Sequence, residues 1–157
     1  MLKGFLGSIF RLTPPVLRRL FSRATNARFR ATAGALVIDE SGRLLLLKHV
    51  FRSGSGWGIP GGFIHAGEQP EEAVRRELLE EVGLELERAE IVSIRTLKST
   101  QQIEIIFRCR PNGEALPQSL EVERAAWFPL HSLPETLSED QRRLIERALS
   151  DRAKRPS

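Results

Sequence analysis

Residues 61–84, GGFIHAGEQPEEAVRRELLEEVGL, constrain this chain more than any other stretch, because they set many carboxylates at helical spacing behind a pair of glycines. Pro70 suits a first helical position, where its missing N–H costs nothing, and Glu71 and Glu72 then lie where the positive end of the helix dipole favours acids. Gly83 is a natural stop, since a left-handed residue costs glycine little. The predicted helix spans residues 70–82, with Ala73, Val74, Leu78, Leu79 and Val82 as its apolar positions. At about 100° per residue, Glu77, Glu80 and Glu81 fall on one face. An acidic stripe ordinarily means a solvated surface. Here a Gly-Gly loop and a further acid, Glu68, precede it, which a plain surface helix does not need. Clustered hard oxygen donors suit Mg²⁺ or Mn²⁺, and such a metal would bridge carboxylates to substrate phosphates. Phosphoryl chemistry is the implication.

Gly62, Glu68, Arg76, Glu77, Leu78, Glu80, Glu81, Gly83 and Leu84 also stand at the spacing of the Nudix box, with no departure at a fixed position. The chain therefore resembles the Nudix hydrolases over about residues 29–152. That resemblance implies an α/β fold, an α/β/α sandwich with a mixed β-sheet. It implies a Mg²⁺-dependent (alternatively Mn²⁺-dependent) hydrolase that cleaves the pyrophosphate linkage of a nucleoside diphosphate joined to another moiety. Carried over by motif position, Glu80 and Glu81 are the first metal ligands, with the Gly62 carbonyl and Glu68 nearby. Glu77 is a ligand or the group that orients or deprotonates water, and which glutamate acts as base is left open. Arg76 orients its neighbouring glutamates by ion pairing. A further acid from outside the box often completes such sites, and Glu121 is the candidate, with Glu123 as its rival.

The substrate is less constrained. The proline that marks ADP-ribose hydrolases of the family downstream of the box is absent, residues 97–100 reading LKST, and the tyrosine associated with diadenosine polyphosphate hydrolases cannot exist in a chain without tyrosine. Trp57, Phe63, Phe51 and Trp127 are the aromatic candidates for stacking on a base, and Lys48 and Arg52 the candidates for holding phosphates. The expected partner is a small nucleotide, either a nucleotide sugar or a nucleoside triphosphate. Two alternatives are removal of a 5′ pyrophosphate from RNA and a non-enzymatic nucleotide-binding module. The full acid set Glu68, Glu77, Glu80 and Glu81 argues against the second, which has no need of every acid.

Around the box the pattern is that of strands. Residues 32–38 and 43–51 are apolar runs joined by the turn 39–42, which predicts a hairpin. Residues 89–98 and 102–110 predict a second hairpin, Pro111 breaks it, and residues 122–128 form a last strand. Residues 52–58 read as a glycine-rich loop able to move for substrate. Ser138 caps a closing helix running to about Arg152.

The formal charge of +4 hides an asymmetry. Residues 1–38 hold no acid and seven bases, and subtracting these from +4 leaves −3 for the remainder. High basicity is thus a property of an amphipathic arm, residues 1–28, attached to a hydrolase domain, residues 29–157, and is weak support for nucleic-acid binding. Thr13-Pro14-Pro15 divides the arm into two short helices. Packing on the domain or on a homodimer partner is the preferred use, ahead of contact with an anionic membrane surface and of organelle targeting. A single cysteine, Cys109, excludes an internal disulfide, and it is expected in the core. No apolar run reaches the ~20 residues of a membrane span, so a soluble cytoplasmic protein is expected.

Overall fold

A computed structural model describes Pro14, Val16, residues 28–51 and residues 56–150. The arm's two expected helices lie outside the described residues, as does Arg52. Among the described residues from 28 onward, seven strands and two helices follow in order: β1 (Arg30–Val37), β2 (Arg43–His49), β3 (Trp57–Gly58), β4 (Gly61–Phe63), α1 (Pro70–Val82), β5 (Glu85–Leu97), β6 (Gln102–Asn112), β7 (Val122–Pro129) and α2 (Glu139–Ser150).

Helix α1 has the predicted bounds, and local chemistry explains why. Glu72 accepts a hydrogen bond from the Gln69 N–H at 2.9 Å, which closes the first turn behind Pro70. At the other end Gly83 adopts φ 64°, and Gly83 N–H and Leu84 N–H donate back to the carbonyls of Leu79 and Leu78. Of the five apolar positions, Ala73, Val74, Leu78 and Val82 are buried. Leu79 is 52% exposed, and Glu81 takes the buried place instead, at 8%.

The strands form a four-stranded mixed sheet, ordered β4-β1-β6-β5, and a three-stranded antiparallel sheet, ordered β3-β2-β7. The β1–β2 hairpin expected from the sequence is not formed. The turn at 39–42 exists, with Gly42 N–H donating to the Asp39 carbonyl and the Asp39 carboxylate accepting from Arg43 N–H. Beyond it, a single bridge between Ile38 and Leu44 remains, and the two strands enter different sheets. Both are buried on both faces, so their near-continuous apolar runs carry no alternation that could name a partner. The β5–β6 hairpin forms as expected. Strand β5 begins earlier, directly after Leu84, and β6 continues through Pro111, which is tolerated because β1 has ended by Cys109 and leaves that residue a neighbour on one side only.

Two apolar cores lie on opposite faces of the strands. Ala33, Ala35 and Val37 of β1 and Leu45 and Leu47 of β2 face α1, while Leu36, Leu44 and Leu46 face α2, whose Leu144, Ile145 and Ala148 close the second core. This is the α/β/α layering expected of the chain. Cys109 is buried in the first core, and burial pushes its thiol up to about 12, so it is inert as a nucleophile. Among the described residues no helix is long and apolar enough to cross a membrane. Since Leu78 is fully buried beneath α1, Leu78→Ala should lower unfolding free energy by about 2–5 kcal/mol, measured by urea denaturation.

Candidate active site

Four box carboxylates cluster at the edge where α1 meets β4, and one guanidinium organises three of them. Arg76 Nε and Nη2 donate to the two oxygens of Glu68 at 2.7 and 3.1 Å, a bidentate pair. Its Nη1 donates to Glu77 at 2.8 Å and to Glu80 at 3.2 Å, and Nη2 also reaches the Phe63 carbonyl at 3.0 Å. Arg76 is thus bonded to α1, to the loop before it and to β4. A second donor, the His65 N–H at 2.8 Å, fixes Glu68 from the other side. With Arg76 first and His65 second, the Glu68 carboxyl is held down at about 2 from its ordinary 4.5, and the Arg76 guanidinium is raised in turn, chiefly by Glu68.

Glu81 is turned the other way. Its Oε2 accepts from the Gly61 N–H at 3.2 Å, and its Oε1 lies 3.7 Å from His49 Nε2 on β2. The glycine pair makes this geometry possible. Gly61 has φ 141°, and a Cβ there would run into the Ala33 carbonyl of the neighbouring strand. A Cβ on Gly62 would occupy the space of the Glu77 carboxylate.

The residues named outside the helix divide into those near this cluster and those away from it. Glu121 lies in the turn just before β7, and its carbonyl accepts from Val50 N–H at 2.9 Å, beside the His49 that faces Glu81. Glu123 is engaged elsewhere, in a 2.8 Å pair with Lys48 Nζ on the partly exposed β2–β7 surface. Lys48 would have to leave that pair to hold a phosphate, and exposed pairs of this kind are worth at most about 1 kcal/mol. Trp57 packs on the α2 side, edge-on to Phe128 at 5.1 Å, and Trp127 packs against the α1-side core. Phe51 is 82% exposed. Phe63 is half exposed, with the Arg30 guanidinium 5.1 Å above its ring, and its backbone already belongs to the cluster through Arg76.

The donor set is all oxygen, the type that hard divalent cations prefer. Among the described residues no three acidic, His or Cys side chains converge on one point, because Arg76 draws Glu68, Glu77 and Glu80 to itself. The donor chemistry and the space that Gly62 leaves for Glu77 fit a metal of that class. Three contacts here had no local signature: His49 facing Glu81, the Phe63 carbonyl on Arg76, and the Gly61 N–H on Glu81. Each joins residues brought together only by the sheet.

A glutamate-lined helix edge with oxygen donors is chemically suited to metal-assisted hydrolysis of a phosphoanhydride. The family model described as NUDIX domain matches residues 28–148, and the chain belongs to the Nudix hydrolase family as a pyrophosphohydrolase. It is 30% identical over 109 residues to a MutT-like protein of Streptomyces ambofaciens, covering 69% of each chain. It is 33% identical over 120 residues to the human 8-oxo-dGDP phosphatase NUDT18, covering 73% of this chain and 37% of that longer protein. The crystal structure of a MutT NUDIX hydrolase from Burkholderia pseudomallei superposes with a TM-score of 0.69 at 30% identity, over 77% of this chain and 98% of that one.

Because the Glu68 carboxyl sits below its ordinary value when folded, its contribution to ordering the loop is fully present above about pH 4.5 and is lost as pH falls towards 2. A carboxyl ¹³C titration should show its midpoint near 2, rising in Arg76→Ala towards the ordinary range, with the remaining depression due to the His65 N–H.

Proposed function

We propose that this protein hydrolyses a phosphoanhydride bond of a free nucleoside polyphosphate, with water as nucleophile, at the edge formed by β4 and α1. The observation that carries this reading is the seating of the Glu77 carboxylate on Gly62, tied together with Glu80 and Glu68 by one guanidinium, Arg76. The human relative's name, 8-oxo-dGDP phosphatase, supports a free nucleotide over a nucleotide sugar.

Such a substrate is polyanionic and would be repelled by these acids alone, so the reading requires a divalent cation, Mg²⁺ or Mn²⁺. Glu77, Glu80, Glu81 and the Gly62 carbonyl would hold it, with Glu121 as the acid added from the turn before β7. When bound, the metal supplies charge neutralisation and polarisation of the scissile phosphate. The protein's own groups do the rest. Glu68, held bidentately by Arg76 and again by His65 N–H, keeps the guanidinium in place and thereby aims Glu77 and Glu80. Glu80 is exposed and has one 3.2 Å contact, which leaves it the carboxylate best able to turn and take a proton from the attacking water. Phe63 supplies an exposed ring for a base, and Lys48 and Arg52 supply cations for the outer phosphates. Trp57, packed on Phe128, contributes to that rim chiefly by holding β3.

The test is Mg²⁺-dependent phosphate or pyrophosphate release across a panel of nucleoside di- and triphosphates, oxidised purine nucleotides, nucleotide sugars and 5′-triphosphorylated RNA. Free nucleotides should be turned over best, and an inert panel would sink the reading. Glu80→Gln should reduce kcat by about 10²- to 10⁴-fold with an unchanged melting curve. Gly62→Ala, whose methyl displaces Glu77, should fold normally and lose activity by about 10²-fold, read from the same assay.

A further inference from the structure

The glycine segment of the active site is anchored from the opposite layer of the sandwich. Gln141 lies in the first turn of α2, where the Ser138 hydroxyl oxygen accepts its N–H at 3.3 Å. The adjacent Asp140 is gripped by Arg95 of β5 through two hydrogen bonds at 3.0 and 2.8 Å, and Arg95 is itself paired with Glu104 of β6. The start of α2 is thereby fixed against the sheet. From that position Gln141 Oε1 accepts a hydrogen bond from the Ile59 N–H at 3.2 Å.

Ile59 stands outside every strand ladder, in the link between β3 and β4, and is 4% exposed. Its side chain belongs to the α2-side core and rests over Gly34, where a Cβ would press on Ile59 Cδ1 at 3.0 Å. After Ile59, successive backbone groups are taken up in turn. The Pro60 carbonyl accepts from Ala35 N–H at 2.9 Å, Gly61 N–H donates to Glu81, Gly62 backs Glu77, and the Phe63 carbonyl accepts from Arg76. Five consecutive residues thus run from a hydrogen bond with α2 to hydrogen bonds with the catalytic helix. A buried N–H deprived of its acceptor is costly, so without Gln141 the link must rotate or admit water, and the glycines at its far end move with it.

We infer that Gln141 is a positioning residue for hydrolysis: by holding Ile59 N–H it sets where Gly61 and Gly62 lie beneath Glu81 and Glu77. The inference rests on the proposed hydrolytic site for its kinetic readout, and on backbone geometry alone for the others. Gln141→Leu keeps the bulk and removes the acceptor, whereas Gln141→Glu keeps an acceptor oxygen at the same reach.

In the full-length chain, three quantities should be measured for both variants: kcat and KM for the preferred nucleotide, Mn²⁺ affinity by electron paramagnetic resonance, and hydrogen exchange at the Ile59 and Gly61 amides. Gln141→Leu should lower kcat by about tenfold with KM within about twofold, weaken Mn²⁺ binding and speed exchange at both amides, and Gln141→Glu should restore all three. Wild-type kcat and Mn²⁺ affinity in Gln141→Leu, with only the Ile59 amide exchanging faster, would overturn the inference. So would equal impairment of the two variants, which assigns Gln141 to the packing of α2 alone. If the wild-type chain hydrolyses nothing, the proposed function falls, while Mn²⁺ affinity and Gly61 exchange still decide the role of Gln141.

Discussion

Four carboxylates gathered on one turn and a half of helix and its preceding loop repel one another, and in this protein one guanidinium keeps three of them together. Arg76 contacts Glu68, Glu77, Glu80 and the Phe63 carbonyl, so it offsets part of the cluster's negative charge and also joins α1 to the loop and to β4. A lysine could not replace it, because a single ammonium lacks the planar fork that spans the two Glu68 oxygens while its far nitrogen serves Glu77. The fourth acid, Glu81, escapes this arrangement because it points into the sheet, where a backbone N–H and a histidine receive it. Everything proposed about catalysis depends on that division of partners.

How far the sequence could be read follows from the range of the interactions involved. Helix α1 was legible to the residue, since Pro70 and Gly83 act through their own backbone geometry and the box spacing is a helical repeat. The β5–β6 hairpin was legible for similar reasons, since alternation and a short turn are local signals, whereas the layering came with the family resemblance. The partners of β1 and β2 were not, because strands buried on both faces look the same whichever sheet they enter. Leu79 was misplaced among the apolar positions because composition alone does not show that Glu81 would be turned inward in its stead.

Within the site the same rule holds. The acids were visible from their spacing, and the pairing of Arg76 with them from its neighbourhood on the helix. The contributions of His49, Ile59 and Gln141 were not visible, since each is separated from its partner by 20 residues or more and meets it only once the sheets have assembled. Gly62 lies between these cases. Its place in the box was evident, while the physical reason, that its missing Cβ is where a carboxylate lies, needed three dimensions.

The sheets act as a partition between two cores that share no buried side chain. Substitutions on opposite sides of such a wall should combine additively in their effect on stability where they lie well apart along the strands, and couple where they are consecutive residues such as Leu44 and Leu45. The far core can then drift through many apolar combinations without disturbing the chemistry, provided that volume is kept. Ile59 is the exception. Its side chain and its N–H are both held on the α2 side, while the backbone that follows carries Gly61 and Gly62 to α1, so it is a point at which neutral drift behind the sheet becomes visible to selection on catalysis.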